Sequence, residues 1–151
     1  MTDFATTQPD YDVAARQPLR AHLPEMVVGL VGGLLAIATA LFATSADDAR
    51  LVLGALLAGI GFVYLGFAIG DGRTSAIIVQ AGSALVFVWI AIIGIHAESN
   101  LLLGIGFLAH GAWDAIHHEG HGWTKVRTYW PPFCAVADVV IGAAILSGIA
   151  V

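Results

Sequence analysis

Five apolar segments, each close to twenty residues long, dominate this sequence and are separated by short polar turns. A helix needs roughly 20 apolar residues to cross the hydrocarbon core of a bilayer. Hydrophobic residues make up 58% of the chain and charged residues only 11%, whereas a soluble domain carries about a quarter charged residues. The sequence therefore predicts an all-α integral membrane protein, with a five-transmembrane-helix bundle as one domain over 26–151. The predicted spans are 26–44, 50–70, 74–96, 100–118 and 132–151.

Helix-ending residues mark the boundaries of these spans. The turn at 45–48 closes the first, and Gly-Asp-Gly at 70–72 stops the second. Prolines at 131 and 132 suit the first turn of the last helix. Residues 1–25 are polar and lack the apolar core of a signal peptide, so we expect them to form a retained cytoplasmic segment.

The basic residues predict the orientation. With five spans, the N-terminus, the turn near Arg73 and the loop with Lys125 and Arg127 share one side of the membrane. The other side holds only Arg50. Excess lysine and arginine mark the cytoplasmic side, which predicts a multi-pass protein of the cell membrane with its N-terminus inside and its C-terminus outside.

Small residues and one repeated segment suggest how the helices associate. Three pairs at spacing i, i+4 would let helices approach closely, within the bundle or between copies in a homo-oligomer. These pairs are Gly29 with Gly33, Gly66 with Gly70, and Ala143 with Ser147. Segments 56–66 and 101–111 are identical at seven of eleven positions. Hairpin 2–3 is therefore a candidate duplicate of hairpin 4–5, with chance similarity among apolar helices as the alternative.

The fourth span carries a stripe of ionisable residues between Gly104 and Gly122. At 100° per residue four of them fall within about 60° on a helix surface, and the fifth lies just beside them. Ionisable groups at membrane depth are costly and indicate a functional site. These residues are His110, Asp114, His117 and His121, with His118 beside the stripe.

Depth in the bilayer determines which other polar residues can meet this stripe. Counting 1.5 Å per residue from the cytoplasmic face, His110 lies about 12 Å deep and Asp138 about 9 Å deep. Cys134 shares a face with Asp138 at spacing i, i+4. The predicted pocket therefore contains His110, Asp114, His117, Cys134 and Asp138, with His118, Glu119 and His121 at its mouth. His96 and Glu98 lie at the opposite face.

These side chains favour a divalent metal ion, zinc or iron. Imidazole and carboxylate groups at i, i+3 or i, i+4 can point at one ion, and both metals accept that mixture. The predicted ligands are His110, Asp114, His117, His118, His121 and Asp138, with Asp138 either completing the shell or orienting a ligand histidine. The alternatives are a proton or ion pathway through the same residues and a purely structural polar cluster.

The histidine cluster resembles two known kinds of membrane metal site. His117 and His121 are similar to the His-x-x-x-His of membrane-embedded zinc hydrolases, and the whole cluster is similar to a histidine box of membrane di-iron hydroxylases and desaturases. Each resemblance covers about a dozen residues. The chain has one box where a di-iron centre needs several, and it lacks the matching serine and histidine set on earlier helices. The sequence therefore places the chain in neither family.

Three functional hypotheses follow. The leading one is a metal-dependent membrane enzyme that acts on a lipid or another apolar substrate, with a metal-bound water as nucleophile. The second is a proton- or metal-ion-transporting protein, and the third is a structural or accessory membrane subunit. A net charge of −5 without a basic cluster gives no indication of nucleic-acid binding.

Overall fold

Helices account for nearly all of the secondary structure in the computed structural model, which describes residues 19–118 and 124–151. A short 3₁₀ turn at Leu19–His22 leads directly into the first α-helix. Within the described residues no strand occurs. The helices are α1 (Leu23–Leu41), α2 (Ala46–Gly61), α3 (Val63–Asp71), α4 (Thr74–His96), α5 (Asn100–His118) and α6 (Trp130–Leu146).

The predicted spans correspond to these helices, with a correction at the first turn. The first helix is Leu23–Leu41 instead of 26–44, and residues 46–48, predicted as a turn, begin α2 because the Ser45 side chain accepts a hydrogen bond from the Asp48 N–H and caps that helix. The third and fourth match α4 and α5 at both ends, and the fifth begins two residues early at Trp130 and ends at Leu146. Within the described part of the chain, three helical segments are long and apolar enough to cross a membrane: Arg20–Leu41, Ala46–Asp71 and Thr74–His96. α6 is apolar but shorter.

The second predicted span is interrupted at Phe62, which divides it into α2 and α3. The Phe62 N–H bonds the carbonyl of Gly59, three residues back, instead of continuing the i, i+4 pattern. Gly59 and Gly61 weaken the helix at this point because glycine has a low helix propensity. α3 then ends as predicted at Gly72, whose φ of 76° favours glycine.

The two ends of the bundle carry the groups that the sequence assigned to them. At one end Asp71 pairs with Arg73 at 2.7 Å and accepts a hydrogen bond from the Lys125 N–H. At the other end Arg50 donates to Asn100 Oδ1 at 2.9 Å. The turn near Arg73 and the loop containing Lys125 therefore lie together, away from Arg50.

Close helix contacts occur at glycines, although only at some of those predicted. α6 packs against both α1 and α5. A Cβ atom at Gly29 would overlap the Phe133 carbonyl, and one at Gly33 would lie 3.0 Å from the Ala137 carbonyl oxygen. A Cβ at Gly142 would lie 2.9 Å from the Gly104 carbonyl oxygen. Small residues thus let α6 approach both neighbours.

The other two predicted pairs do not make such contacts. A Cβ at Gly66 or Gly70 would meet no heavy atom within 4 Å, and Ala143 and Ser147 are exposed. The expectation that they tighten the bundle is therefore wrong, because i, i+4 spacing does not specify which helix face is turned inward. Association of chain copies through these faces stays a prediction.

The repeated segments also adopt different local structures. Segment 101–111 lies wholly within α5, whereas segment 56–66 crosses the interruption at Phe62. Their corresponding phenylalanines differ as well, since Phe107 is fully buried and Phe62 is exposed. Duplication of the hairpin stays a prediction.

We expect Gly29→Ala to lower the free energy of unfolding by about 1–3 kcal/mol, because the added methyl group overlaps the Phe133 carbonyl. Thermal unfolding in detergent, followed by circular dichroism, measures the change. Gly82→Ala is the control, since a Cβ there meets nothing within 4 Å and alanine favours the helix. An unchanged melting temperature for Gly29→Ala would show that α1 and α6 are not this close.

Candidate functional site

The polar stripe of α5 faces the interior of the bundle. His110, Asp114 and His117 are spaced one helical turn apart, and each is buried. His110 is 1% exposed and Asp114 is 0% exposed. Unpaired ionisable groups at such depth cost several kcal/mol, so each one needs a partner.

α6 supplies the first partner. The Nδ1 atom of His110 lies 2.6 Å from Oδ2 of Asp138 and 3.5 Å from Oδ2 of Asp114. Asp138 itself is only 3% exposed. One imidazole nitrogen therefore faces two carboxylates, one from its own helix and one from the next. We call His110, Asp114 and Asp138 the buried triad.

The short helix α3 supplies the second partner. The Tyr64 hydroxyl donates a 2.6 Å hydrogen bond to Oδ1 of Asp114. Tyr64 is 1% exposed, so the bond is shielded from solvent. It fixes one oxygen of Asp114 and leaves the other directed toward His110.

Two atoms of the triad have no hydrogen-bond partner among the described residues: His110 Nε2 and Asp114 Oδ2. The His110 ring packs edge-on against Phe87, with centroids 4.7 Å apart. An unsatisfied buried polar atom costs about 1–3 kcal/mol. Such atoms are typical of a site that is completed by a ligand.

The triad has the dimensions of a small metal site. One candidate ligand atom from each member lies within 4.8 Å of the other two. Tetrahedral zinc with bonds of about 2.0–2.2 Å separates its ligands by about 3.3–3.6 Å. The Asp114–His110 distance of 3.5 Å already matches. The 2.6 Å contact between His110 and Asp138 must widen by about 0.7–1.0 Å to reach that separation.

His117 belongs to a separate hydrogen-bond network beside the triad. Its Nδ1 lies 2.8 Å from the Trp113 carbonyl, and its Nε2 lies 2.8 Å from Nε2 of Gln80. Because a carbonyl only accepts, Nδ1 carries the proton and Nε2 accepts from the Gln80 amide. Both ring nitrogens are therefore engaged, and His117 does not point a lone pair at the triad.

Gln80 is oriented by the same network. The Trp113 indole N–H donates to its side-chain oxygen at 3.3 Å, which leaves its amide group facing His117. Gln80 is 0% exposed. The Tyr64 ring lies beside His117, with centroids 4.2 Å apart, so this network also supports the residue that holds Asp114.

The other predicted residues lie at varying distances from this centre. His118 is half-buried and its ring contacts that of His22, with centroids 4.8 Å apart. Cys134 is a buried free thiol one turn before Asp138. Glu119 and His121 fall outside the described residues. His96 and Glu98 are exposed near the far end, as expected.

Sequence reasoning did not identify Tyr64, Gln80 or Phe87 as parts of the site. Tyr64 carries a usable signal, since a tyrosine hydroxyl in an apolar helix needs a partner and lies at similar depth to Asp114. Phe87 gives no such signal, because a phenylalanine in an apolar helix is indistinguishable from other core residues.

The fold and this site define an all-helical protein that has helices apolar enough to cross a membrane and an ionisable cluster in its interior. Residues 24–150 match the sequence profile of DUF6010, a family of unknown function, and the chain belongs to that family. Searches of curated proteins and of solved structures found no match.

We expect His117 to be neutral, with its proton on Nδ1, because a carbonyl oxygen and an amide N–H fix the two ring nitrogens. Nitrogen-15 NMR of histidine-labelled protein distinguishes the tautomers, and loss of the signal in His117→Phe assigns it. Gln80→Leu removes the amide donor and should shift the Nε2 resonance. A proton on Nε2 in the wild type would contradict the network.

Proposed function

We propose that this chain is a five-span integral membrane protein that binds a divalent metal ion, zinc or iron, at His110, Asp114 and Asp138. The observation that carries the proposal is the convergence of one imidazole and two carboxylates in the interior. His110 Nδ1 faces both carboxylates, and Asp114 Oδ2 has no hydrogen-bond partner among the described residues.

The surface of the bundle supports a membrane location. Large apolar side chains are exposed on the outside, including Leu35 at 63% and Ile78 at 66%. α5 follows the same pattern, since Leu101 and Ile105 are exposed while its ionisable residues face inward. Apolar residues outside and hydrogen-bonded polar residues inside are what a lipid environment requires of a helical protein. This pattern supports counting α5 and α6 among the spans.

The charge balance of the triad favours a divalent cation. Two carboxylates and a neutral imidazole carry a charge of about −2, which one divalent ion neutralises. With a protonated imidazole in place of the ion, one negative charge remains buried unless a further proton binds. The metal therefore removes the larger part of the cost of burying Asp114 and Asp138.

The ligand set and its support suit zinc or non-haem iron. Both ions accept mixed nitrogen and oxygen ligands. The hydrogen bond from Tyr64 holds Asp114 by one oxygen and presents the other, as outer partners of metal ligands commonly do. Three protein ligands leave a coordination position open, which is typical of catalytic rather than structural zinc sites.

An enzyme acting on a lipid or another apolar substrate fits this arrangement best. A metal in the open site would supply an activated water or polarise a substrate oxygen. Tyr64 fixes the position of Asp114 through its hydroxyl. The rings of Tyr64 and Phe87 pack against His110 and keep bulk water away from the site.

We expect purified wild-type protein to carry about one equivalent of zinc or iron per chain by elemental mass spectrometry after expression in metal-replete medium. His110→Ala and Asp138→Asn should lose at least about nine-tenths of it, since each removes or weakens one of three ligands. His96→Ala is the matched control, because it removes an exposed histidine outside the site.

Two results would contradict the metal proposal. The first is a wild-type content below about a tenth of an equivalent of any transition metal. The second is a melting temperature that falls in His110→Ala while the metal content stays at the wild-type level. That second pattern is expected of a structural or accessory subunit whose triad only joins helices.

A transport function is the second candidate, favoured by the chain of contacts from Asp138 through His110 to Asp114 and Tyr64. It ranks below the metal enzyme because the next turns of α5 toward the other end bury Phe107 and Leu103, both 0% exposed. A pathway needs polar groups there. Proteoliposome flux that is lost in Asp114→Asn would reverse the ranking.

The proposed orientation places the N-terminus, Arg73 and Lys125 in the cytoplasm and the C-terminus outside. In a Cys134→Ala background, we expect Glu98→Cys to react with an impermeant maleimide in intact cells. Arg73→Cys should react only after permeabilisation, since it lies at the opposite end of α4. The reverse labelling pattern would invert the topology, and labelling of both in intact cells would exclude an odd number of spans between these positions.

A further inference from the structure

One buried stripe fastens the short helix α3 to the rest of the bundle. Tyr64, Ala68 and Asp71 follow one another at spacings of four and three residues, so they fall within about 60° on the helix surface. Tyr64 and Ala68 are buried, and the Asp71 side chain is only 2% exposed. The opposite face is open, since Ile69 is exposed and a Cβ at Gly66 would meet nothing within 4 Å. α3 therefore presents a single face to the protein interior.

Asp71 joins the end of α3 to the segment that precedes α6. Its Oδ2 accepts hydrogen bonds from the Thr124 hydroxyl at 3.3 Å and from the Lys125 N–H at 3.1 Å. The same oxygen pairs with the Arg73 guanidinium at 2.7 Å. Hydrogen bonds to an ionised carboxylate are stronger than those between neutral groups. We call Asp71, Thr124 and Lys125 the α3 latch.

Tyr64 joins the beginning of the same helix to the buried triad. Its hydroxyl donates to Asp114 Oδ1 at 2.6 Å. α3 packs along α2 and α4, and it reaches α5 and α6 through aromatic side chains, with Tyr64 against His117 and Phe67 against Trp130. The position of the Asp114 carboxylate thus depends on where α3 holds the Tyr64 hydroxyl.

The two connections are coupled because one short helix carries both. Tyr64 and Asp71 are seven residues apart, which is about 10 Å along a helix. Helical hydrogen bonding is interrupted at Phe62, and α3 ends at Gly72, where φ is 76°. Hinges of rigid-body shifts commonly consist of a few residues at the ends of an element. A change at the α3 latch would therefore shift α3 as one body, and the Tyr64 hydroxyl with it.

We propose that Asp71 is a positioning residue for the triad, because it holds α3 where the Tyr64 hydroxyl orients Asp114 for the metal. This inference rests on the proposed function, in which Asp114 is a ligand, and it adds a means of regulation. Any change that releases Thr124 and Lys125 from Asp71 lowers the affinity of the triad for zinc. Loss of an outer partner of a metal ligand commonly lowers metal affinity by about 10–100-fold.

The first test needs no metal. The chain has three tyrosines, so full-length protein in detergent with carbon-13 at the tyrosine Cζ gives a simple NMR spectrum, and loss of one signal in Tyr64→Phe assigns it. We expect Asp71→Ala to move the Tyr64 resonance toward its position in Asp114→Ala, because the hydroxyl moves away from its acceptor. Asp71→Asn keeps an acceptor oxygen but loses the ion pair with Arg73, so it should move the resonance less in the same direction.

The second test is a double-mutant cycle on zinc affinity, measured by competition with a chromogenic chelator. Tyr64→Phe and Asp71→Ala should each weaken zinc binding about tenfold. In the Tyr64→Phe background, Asp71→Ala should weaken it by less than about a further twofold, because the α3 latch acts through the Tyr64 hydroxyl. A purely structural Asp71 would give losses that multiply.

Asp47→Ala is the matched control, because it removes a carboxylate that pairs with Arg50 at 2.8 Å at the other end of the bundle. It should change neither the Tyr64 resonance nor the zinc affinity. An unmoved resonance in both Asp71 variants, or losses of affinity that multiply, would overturn the proposal. Wild-type protein that binds no zinc would overturn the proposed function, and the resonance would still establish or refute the positioning of Tyr64 by Asp71.

Discussion

The 2.6 Å contact between His110 and Asp138 is the interaction on which the rest of the structure depends. It joins α5 to α6 through two ionisable groups that could not remain buried without each other. The close packing of α5 and α6 brings the His110 and Asp138 side chains within this distance. A Cβ at Gly111 would already lie 3.3 Å from Cβ of Asp138, and Gly104 faces Gly142 further along. Small residues beside the histidine thus bring the carboxylate of the next helix within reach.

α3 completes the arrangement. It begins after the interruption at Phe62, and Tyr64 in its first turn donates its hydroxyl to Asp114. Tyr64 also contacts Phe67, and Phe67 contacts Trp130 at the beginning of α6, with the last two ring centroids 5.7 Å apart. A row of aromatic rings therefore connects the beginning of α6 with the side chain that holds Asp114.

Sequence reasoning predicted most of the helices and the meeting of His110 with Asp138, but it missed the interruption at Phe62. Hydropathy and turn residues predicted α4 and α5 at both ends, because long apolar runs and glycine or polar turns are local signals. The helical period and the depth count together brought Asp138 to His110, since both depend only on position along a helix.

What sequence reasoning missed depends on which helix faces meet. The inward roles of Tyr64 and Gln80 follow from the packing of α3 and α4 against α5, which no periodicity in an almost uniformly apolar helix reveals. The same limit explains the wrong prediction for Gly66 and Gly70. Their spacing equals that of Gly29 and Gly33, but a side chain at either position would point into open space. His117 likewise falls on the predicted stripe, yet its two nitrogens are engaged by Trp113 and Gln80.

The most direct measurement of the central claim is anomalous diffraction from crystals of the protein grown with zinc, recorded above and below the zinc absorption edge. The account predicts a single interior peak within about 2.3 Å of ligand atoms from His110, Asp114 and Asp138, with the His110–Asp138 contact widened to more than about 3 Å. An interior without a peak, in which His110 still bonds Asp138 directly, would contradict it.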